Sequence, residues 1–451
     1  MGSEWTTALL GELTVNYDGR RKPVKESERR PGPFPYYGAS GVVDYVDDYL
    51  FDGDYLLVAE DGENLRTRQT PIAFMARGKF WVNNHAHIVT GNDKADTRFL
   101  MYALARTDIS GYLTGAVMPK LTQGNLNKIE LNCPPLIEQR AIAHILGTLD
   151  DKIELNRRIN QTLEAMAQAI FKSWFVDFDP VKSKIAAIEQ GQDPERAAMR
   201  VISGKTDAEL DQLPRDQYDQ LATTAALFPE AMEDSELGEI PAGWVAGAIG
   251  DLAELTIGGD WGKDDPIDEQ YVQAVCLRGV DLEHLRATGE CPKAPVRWVK
   301  KSSIEKRSIE SVDLLIGGSG AGPCGRPLYA SPLLLDLVGY PVIYSNFVKR
   351  FRCKTSSQAL YLDRVLWGMF TGGEISNYIN GTSVPNLKDK GLFLHSIVIP
   401  NFDVLMEFEN ISQGWLGKLY SKESAGLVEL RDTLLPKLIS GELRVTQQVL
   451  P

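Results

Sequence analysis

Four short matches recur along the chain in the same order, and this repetition limits the fold more than any other feature. Trp5 opens W-x4-LGEL, and Trp244 opens W-x4-IGDL, an offset of 239. Gly53-Asp54-Tyr55-Leu56-Leu57 is similar to Val312-Asp313-Leu314-Leu315-Ile316 at offset 259. Asn84 in FWVNNHAHIV aligns with Asn346 in VIYSNFVKRF at offset 262. Met118-Pro119-Lys120-Leu121 aligns with Val384-Pro385-Asn386-Leu387, and Pro134 with Pro400, both at offset 266. Offsets that grow slowly are the mark of two copies of one module with loop insertions. Each copy has short β-branched and aromatic runs between Gly-containing turns, then Pro-x-Leu, a last apolar strand (KIELNCPP, HSIVIPN) and a helix. That pattern predicts a β-rich module with a few helices.

Between the copies, residues 137–176 carry a helical stripe: Ile142, Ile145, Leu149, Ile153, Asn156, Ile159, Leu163, Met166 and Ile170 recur at steps of three and four. No proline interrupts it, only Gly147. A continuous helix of that length reaches about 60 Å. A long, narrow stripe suits pairing with a second helix better than packing on its own domain. Residues 403–439 supply the mate, with Leu405, Phe408, Ile411, Leu416, Leu419, Leu427, Leu430, Leu434 and Leu438 on its stripe and Gly414 and Gly426 inside. The expected fold class is α+β: two β-rich domains in pseudo-twofold arrangement, separated by an antiparallel pair of long helices forming a coiled coil. The expected segments are 1–135 (first β-rich domain), 136–178 (central helical region), 179–235 (acidic, partly helical connector), 236–402 (second β-rich domain) and 403–451 (distal helical region and C-terminal tail).

Charge separates the modules from the connector. The net charge is −13, but residues 179–240 hold 14 acidic and 6 basic side chains. Residues 1–135 balance 15 basic against 17 acidic, and 241–400 balance 17 against 17. The chain is therefore no general electrostatic binder of DNA, and any attraction must come from local loops and partners. The five cysteines (Cys133, Cys276, Cys291, Cys324, Cys353) are scattered without a CxxC pair, which suggests neither a zinc cluster nor a disulfide framework. No apolar run has the length of a membrane span, and a cytoplasmic location is expected.

The helical segments carry a family likeness. PPLIEQRAIAHILGTLDDKIELNRRINQTLEAMAQAIFKSWFVDFDPV resembles the central helical region of the specificity subunit of Type I restriction–modification systems, HsdS. GEIPAGW resembles the start of that family's second target recognition domain, and LRDTLLPKLISGEL (Leu430 to Leu443) its distal helical ending. The sequence departs from the pattern where IVIPNFDVLMEF stands in place of PPLIEQ. The resemblance implies a DNA sequence-specificity subunit that is not itself an enzyme. The β-rich domains 1–135 and 236–402 would be target recognition domains, each reading one half of a bipartite target in double-stranded DNA. The helices would act as a spacer and dock two HsdM methyltransferase subunits, with HsdR motor-nuclease subunits joining for restriction. The resemblance implies no cofactor in this chain. S-adenosylmethionine for adenine N6 methylation would lie in HsdM, and ATP and Mg in HsdR.

The residues themselves agree with a non-catalytic chain. Base methylation needs an S-adenosylmethionine turn and an acid or amide beside Pro-Pro-aromatic; Cys133-Pro134-Pro135-Leu136 lacks both the flanking group and the ring. The Gly-rich run from Ile316 to Pro327 lacks the Lys-Ser/Thr of a phosphate-binding loop. His85 and His87 sit at i and i+2, a spacing that puts both on one face of a strand, but no third metal ligand is evident. Two rival readings stand beside this one: a methyltransferase with degenerate motifs, and a protein-organising scaffold.

DNA recognition needs loop donors, with cations on phosphates and Asn, Gln, Arg or Ser on base edges. In the first module the candidates are Arg20, Arg21, Lys22, Tyr36, Tyr37, Ser40, Arg66, Arg68, Asn84, His85 and Lys120. In the second they are Trp261, Lys263, Arg278, Ser319, Arg326, Ser345, Asn346, Lys349, Ser383 and Asn386. Tyr36-Tyr37 and Ser345-Asn346 lead, lying beside glycine or a strand end. Met166, Phe171, Trp174 and Phe175 exceed what one helix pair needs and are expected to bind HsdM helices.

Overall fold

A computed structural model describes residues 5–115, 117–289, 294–381 and 383–445. Cys291 lies outside them. The chain forms two compact units, Met1–Glu154 with Gly426–Pro451, and Leu155–Ala425.

In the first unit the strand Thr6–Leu9 pairs antiparallel with Glu130–Cys133 and leads into the one-turn helix Leu10–Leu13. A four-stranded antiparallel sheet follows, in the order Thr14–Asn16, Ala86–Gly91, Tyr55–Ala59, Ala73–Ala76. Leu56, Leu57 and Val58 are all buried, so this central strand is covered on both faces. A run of β-branched and aliphatic residues without alternation fits that position. A second sheet holds Gly41–Val46, Pro31–Gly38, Lys79–Val82 and Phe51–Asp52, with Pro31–Gly38 and Lys79–Val82 parallel. The helix Thr97–Arg106 begins at Asp96, whose carboxylate accepts from the N–H groups of Arg98 and Phe99. Its Phe99, Leu100 and Leu104 close the main core with Leu10, Leu56, Val58, Ile142, Leu146 and Leu438.

The second unit repeats this plan. Val245–Ala248 pairs with Ser396–Ile399, and Ile249–Leu252 is the one-turn helix. The sheet runs Ala253–Leu255, Val348–Cys353, Asp313–Gly317, Pro327–Tyr329. In the second sheet Tyr271–Leu277 and Val342–Tyr344 lie parallel, as Pro31–Gly38 and Lys79–Val82 do. The duplication inferred from weak matches is therefore present in the strand pairing, with one correction. Leu56 pairs with Val89, and Leu314 with Phe351, so Leu56 corresponds to Leu314 and the offset is 258 rather than 259. A slip of one residue turns every side chain to the other face, which is why the pairing decides it and the letters do not.

The helix between the copies is continuous from Leu136 to Phe175. Gly147 has a physical reason: the guanidinium of Arg98 lies over it, and an added Cβ would stand 2.4 Å from Arg98 Nη1. The distal partner is two helices, Phe402–Leu419 and Lys422–Ser440, not one. The pairing is antiparallel within each unit. In the first, Glu138 binds Arg444 and Asp150 binds Arg431. In the second, Asn156 donates to Ser424 Oγ at 3.1 Å and Phe171 meets Phe408. The expected stripe is only partly buried: Ile142 and Asn156 are buried, whereas Met166, Ile411 and Leu430 are exposed.

The acidic stretch folds into the helices Asp179–Glu189, Pro194–Ser203, Asp207–Leu210 and Arg215–Ala226, with a small core of Ala198, Met199, Leu210 and Ala225. Lys184 is buried there, donating to Glu195 and to the carbonyl of Phe228.

A buried ion network lies at the centre of the second unit. Asp363 accepts from Arg286 Nη2 at 2.7 Å, from Arg364 Nε at 3.0 Å and from the Tyr329 N–H at 2.9 Å. Arg364 also donates to Glu164 on the long helix at 2.7 Å. Replacing Asp363 by alanine leaves two buried guanidiniums short of a partner, at a cost of about 3–5 kcal/mol. Thermal denaturation of D363A should show a melting temperature lower by roughly 10 °C; an unchanged value would mean that the network contributes little.

Candidate nucleic-acid interface

In the first unit, four chain segments meet beyond the end of the strand Tyr55–Ala59. The Glu60 N–H donates to the His85 carbonyl, the Leu121 N–H to the Glu60 carbonyl and the Gly62 N–H to the Pro119 carbonyl. Asp61 bridges Lys120, and the Asn83 N–H donates to the Tyr37 carbonyl, which brings the Ala39-Ser40 turn alongside. Every one of these bonds has a counterpart in the second unit. The Gly318 N–H donates to Phe347, Leu387 to Gly318, Gly320 to Pro385 and Ser345 to Leu277, and Ser319 bridges Asn386. Gly115 and Gly381 open the equivalent loops at φ +88°, and a Cβ there would stand 2.2 Å from the Met118 carbonyl oxygen and 2.5 Å from that of Val384. Only glycine takes that turn without displacing it.

The candidates divide into groups at these loops and groups committed elsewhere. Ser40, Asn84, His85 and Lys120 are exposed on the first cluster, with His85 Nδ1 2.9 Å from Asp61 and Lys120 Nζ 3.2 Å from Glu60. Ser319, Asn346, Lys349, Ser383 and Asn386 occupy the second, with Asn346, Ser383 and Asn386 exposed and Lys349 paired to Asp389 at 3.3 Å. Burial works against the charge on Glu60, but Arg21, His87 and Lys120 overcome it and hold the carboxyl below its usual range.

Several expectations are corrected. Tyr36 is 1% exposed, and its hydroxyl accepts from the Val24 N–H at 3.0 Å; it supports the loop from within and cannot reach a base. Ser345 is buried likewise. Tyr37 is half-buried against Phe74 and Phe80. Arg21 is tied to Glu60 and the Ala86 carbonyl, and Arg68 to the carbonyls of Ala105 and Thr107. Arg278 forks onto Asp281, and Arg326 pairs with Glu283 over the Phe370 ring. Arg66 donates to the Gly115 carbonyl, which braces the first loop. Arg20 covers the Phe51 ring, Lys22 is exposed, Trp261 lies under Arg297, and exposed Lys263 is held by backbone pairing with Trp298. Phe171, Trp174 and Phe175 are buried in the second unit's own core against Phe408, Tyr361, Phe228 and Trp244, which leaves them no surface for a partner; Met166 is exposed.

His85 and His87 do not share a face. His85 lies in the turn, whereas His87 is buried between Asp18 and the Leu121 carbonyl. Among the described residues no cluster of three His, Cys, Asp or Glu could hold a metal. Burial pushes the Cys133 thiol up to about 11 and that of Cys353 up to about 12, so neither is a thiolate at neutral pH. The Gly-rich run after Asp313–Gly317 turns into the strand Pro327–Tyr329, so no helix N-terminus is present to bind phosphate. Sequence reasoning misses Val117, Met118 and Val384 at the loop tips and Phe347 on the neighbouring turn, large apolar side chains that are all exposed. The available signal is the repeat match itself, which begins with an apolar residue inside a polar loop.

Residues 2–165 match the family described as Type I restriction modification DNA specificity domain. The HindI specificity subunit of Haemophilus influenzae is 30% identical over 423 residues, covering 87% of this chain and 84% of that protein. The chain belongs to the type I restriction enzyme specificity subunits. It is thus a non-catalytic component of a restriction–modification complex. The MjaIX specificity subunit of Methanocaldococcus jannaschii is 22% identical over 98% of this chain and 94% of its own length. The S subunit of a type I system from M. genitalium, solved by crystallography, shares the fold at TM-score 0.54 and 14% identity over 96% of each chain. The specificity subunit is a mixed helix and sheet protein with the long helix between its β-rich parts. No helix among the described residues is long and apolar enough to cross a membrane.

The burial pattern gives a paired test in this specificity subunit. Tyr36→Phe removes a buried hydroxyl and should cost about 1 kcal/mol of stability while DNA selection by the assembled complex is retained. Asn84→Ala should do the reverse, altering selection in a binding assay with no shift in the melting temperature.

Proposed function

We propose that each unit reads one half of a bipartite target in double-stranded DNA, and that the helices between them set the spacing and dock two HsdM methyltransferase subunits. HsdR motor-nuclease subunits join that assembly for restriction. The single observation that supports the reading is a loop cluster built twice with the same backbone bonds but different side chains. Asp61, His85 and Lys120 in one stand where Ser319, Phe347 and Asn386 stand in the other. A shared frame with exchanged side chains at these positions suits two readers of two different sequences, since backbone bonds fix position and side chains choose bases.

The chemistry belongs to the partners. S-adenosylmethionine for adenine N6 methylation is held by HsdM, ATP and Mg by HsdR, and this chain needs no cofactor of its own. Asn84 and Asn346 occupy the same position in the two clusters and are both exposed. An amide there has the donor and acceptor needed for the major-groove edge of adenine.

Mapping N6-methyladenine by single-molecule sequencing in cells carrying the system should give one motif of two fixed parts around a fixed gap. Asn84→Ala should relax or change one part only, and Asn346→Ala the other. A variant that alters both parts at once would defeat the modular reading. The purified chain alone should neither methylate nor cut DNA, and methylation without a partner would favour an enzyme instead.

A further inference from the structure

Besides the paired Asn84 and Asn346, the two loop clusters agree in one exposed apolar position that base reading does not explain. Met118 is 63% exposed and Val384 is 64% exposed, each three residues after the glycine at φ +88° and directly before proline. The backbone on either side is pinned in the same way in both units: Thr114 exchanges bonds with Lys120, and Asn380 pairs with Asn386. Pro119 and Pro385 pass their carbonyls to Gly62 and Gly320. Met118 and Val384 are therefore apolar, anchored on either side and directed away from the core that ends at Leu121 and Leu387. Val117, at 95% exposed, adds to the first tip. Asn84 and His85, or Asn346 and Phe347, lie on the neighbouring turn, joined to the tip through Glu60 or Gly318.

Side chains that select different bases should differ between the two readers, as His85 differs from Phe347, whereas the shared Asn84 and Asn346 suit an adenine present in both halves. A feature kept in both should serve what both halves have in common. On the function proposed above, on which this inference rests, the common element is an adenine that must leave the helix before its N6 can be methylated. Extrusion breaks stacking on both sides of the base and leaves a gap, and apolar side chains inserted between base steps are a recognised way to unstack and hold DNA.

We propose that Met118 and Val384 are wedges, one per half-site, that enter the duplex at the target adenine and stabilise its extruded state for the methyltransferase. The specificity subunit then contributes to the methylation step as well as to address. The tips are positioning groups: they touch the DNA stack and leave the transfer of the methyl group to the partner.

The test uses the reconstituted complex of the full chain with its methyltransferase, and duplexes carrying the motif found by methylation mapping. With 2-aminopurine in place of the target adenine of one half, fluorescence rises when the base unstacks. Met118→Ser should suppress that rise in one half-site only and slow methylation of that half, on unmodified duplex, by at least about tenfold. Val384→Ser should do the same to the other half. Both positions are exposed, so folding is expected to be kept, and half-site selection and binding affinity should not change. Wild-type fluorescence and methylation in both variants would overturn the proposal. So would failure of either variant to assemble with the methyltransferase, because the tip would then be a protein contact. A wild-type complex that selects no sequence would overturn the half-site reading itself, and the wedge with it.

Discussion

Each β-rich module grips the long helix with an arginine as well as through its apolar core, and the module's footing on that helix rests on the two together. In the first unit Arg98, on the helix Thr97–Arg106, donates to both oxygens of Asp151 and to the Gly147 carbonyl. In the second, Arg364, on the helix Ser356–Thr371, donates to Glu164 and shares Asp363 with Arg286. The two attachments differ in physical strength. The Asp151 side chain is half exposed, where an ion pair is worth at most about 1 kcal/mol, so hydrogen bonding and packing over Gly147 hold that end. Arg364 and Asp363 are buried, and burial makes their complete pairing obligatory. Trp367 under Arg286 and Trp415 under Arg364 complete the lining.

The cations near the loops show why a chain of net charge −13 can still be built around DNA reading. Arg21, Arg278, Arg326, Lys120 and Lys349 all have carboxylate partners within the fold. They shape loops first. Cations tied up in this way offer less unselective attraction to phosphate, which on the proposed function leaves selection to neutral donors such as Asn84, Asn346, Ser383 and Asn386. Assembly with other subunits is the natural source of the missing attraction.

The duplication and the long helix are legible in the sequence because both are written in spacing. The offsets 239, 262 and 266 reappear in the strand pairings, and the run from 137 to 176 is one helix but for its last residue. Burial is not legible. Tyr36 and Tyr37 are adjacent aromatics in a glycine-containing strand, and nothing in their letters says that the first points into the core. Phe171, Trp174 and Phe175 look surplus only because their partners, Tyr361, Phe408, Phe228 and Trp244, are far away in sequence. The division of the distal helix at Tyr420 is hidden too, since Lys418 to Glu423 contains neither proline nor glycine. The loop tips stand out only as repeat markers, because an apolar residue in a loop carries no sign of its exposure.

The first unit is assembled from both ends of the sequence. Leu438 enters its core, Arg444 grips Glu138 and lies over the Trp5 ring, and Gly441 packs on the same indole. The second unit is closed within Leu155–Ala425. On a ribosome moving at about 5–20 residues per second, the early module must therefore wait on the order of tens of seconds for its final helix. The later-encoded module has all its residues slightly sooner, so completion runs opposite to the order of synthesis. Until then the core that holds Ile142 and Leu146 lacks Leu438, and a chaperone that shields the early module would have its clearest task there.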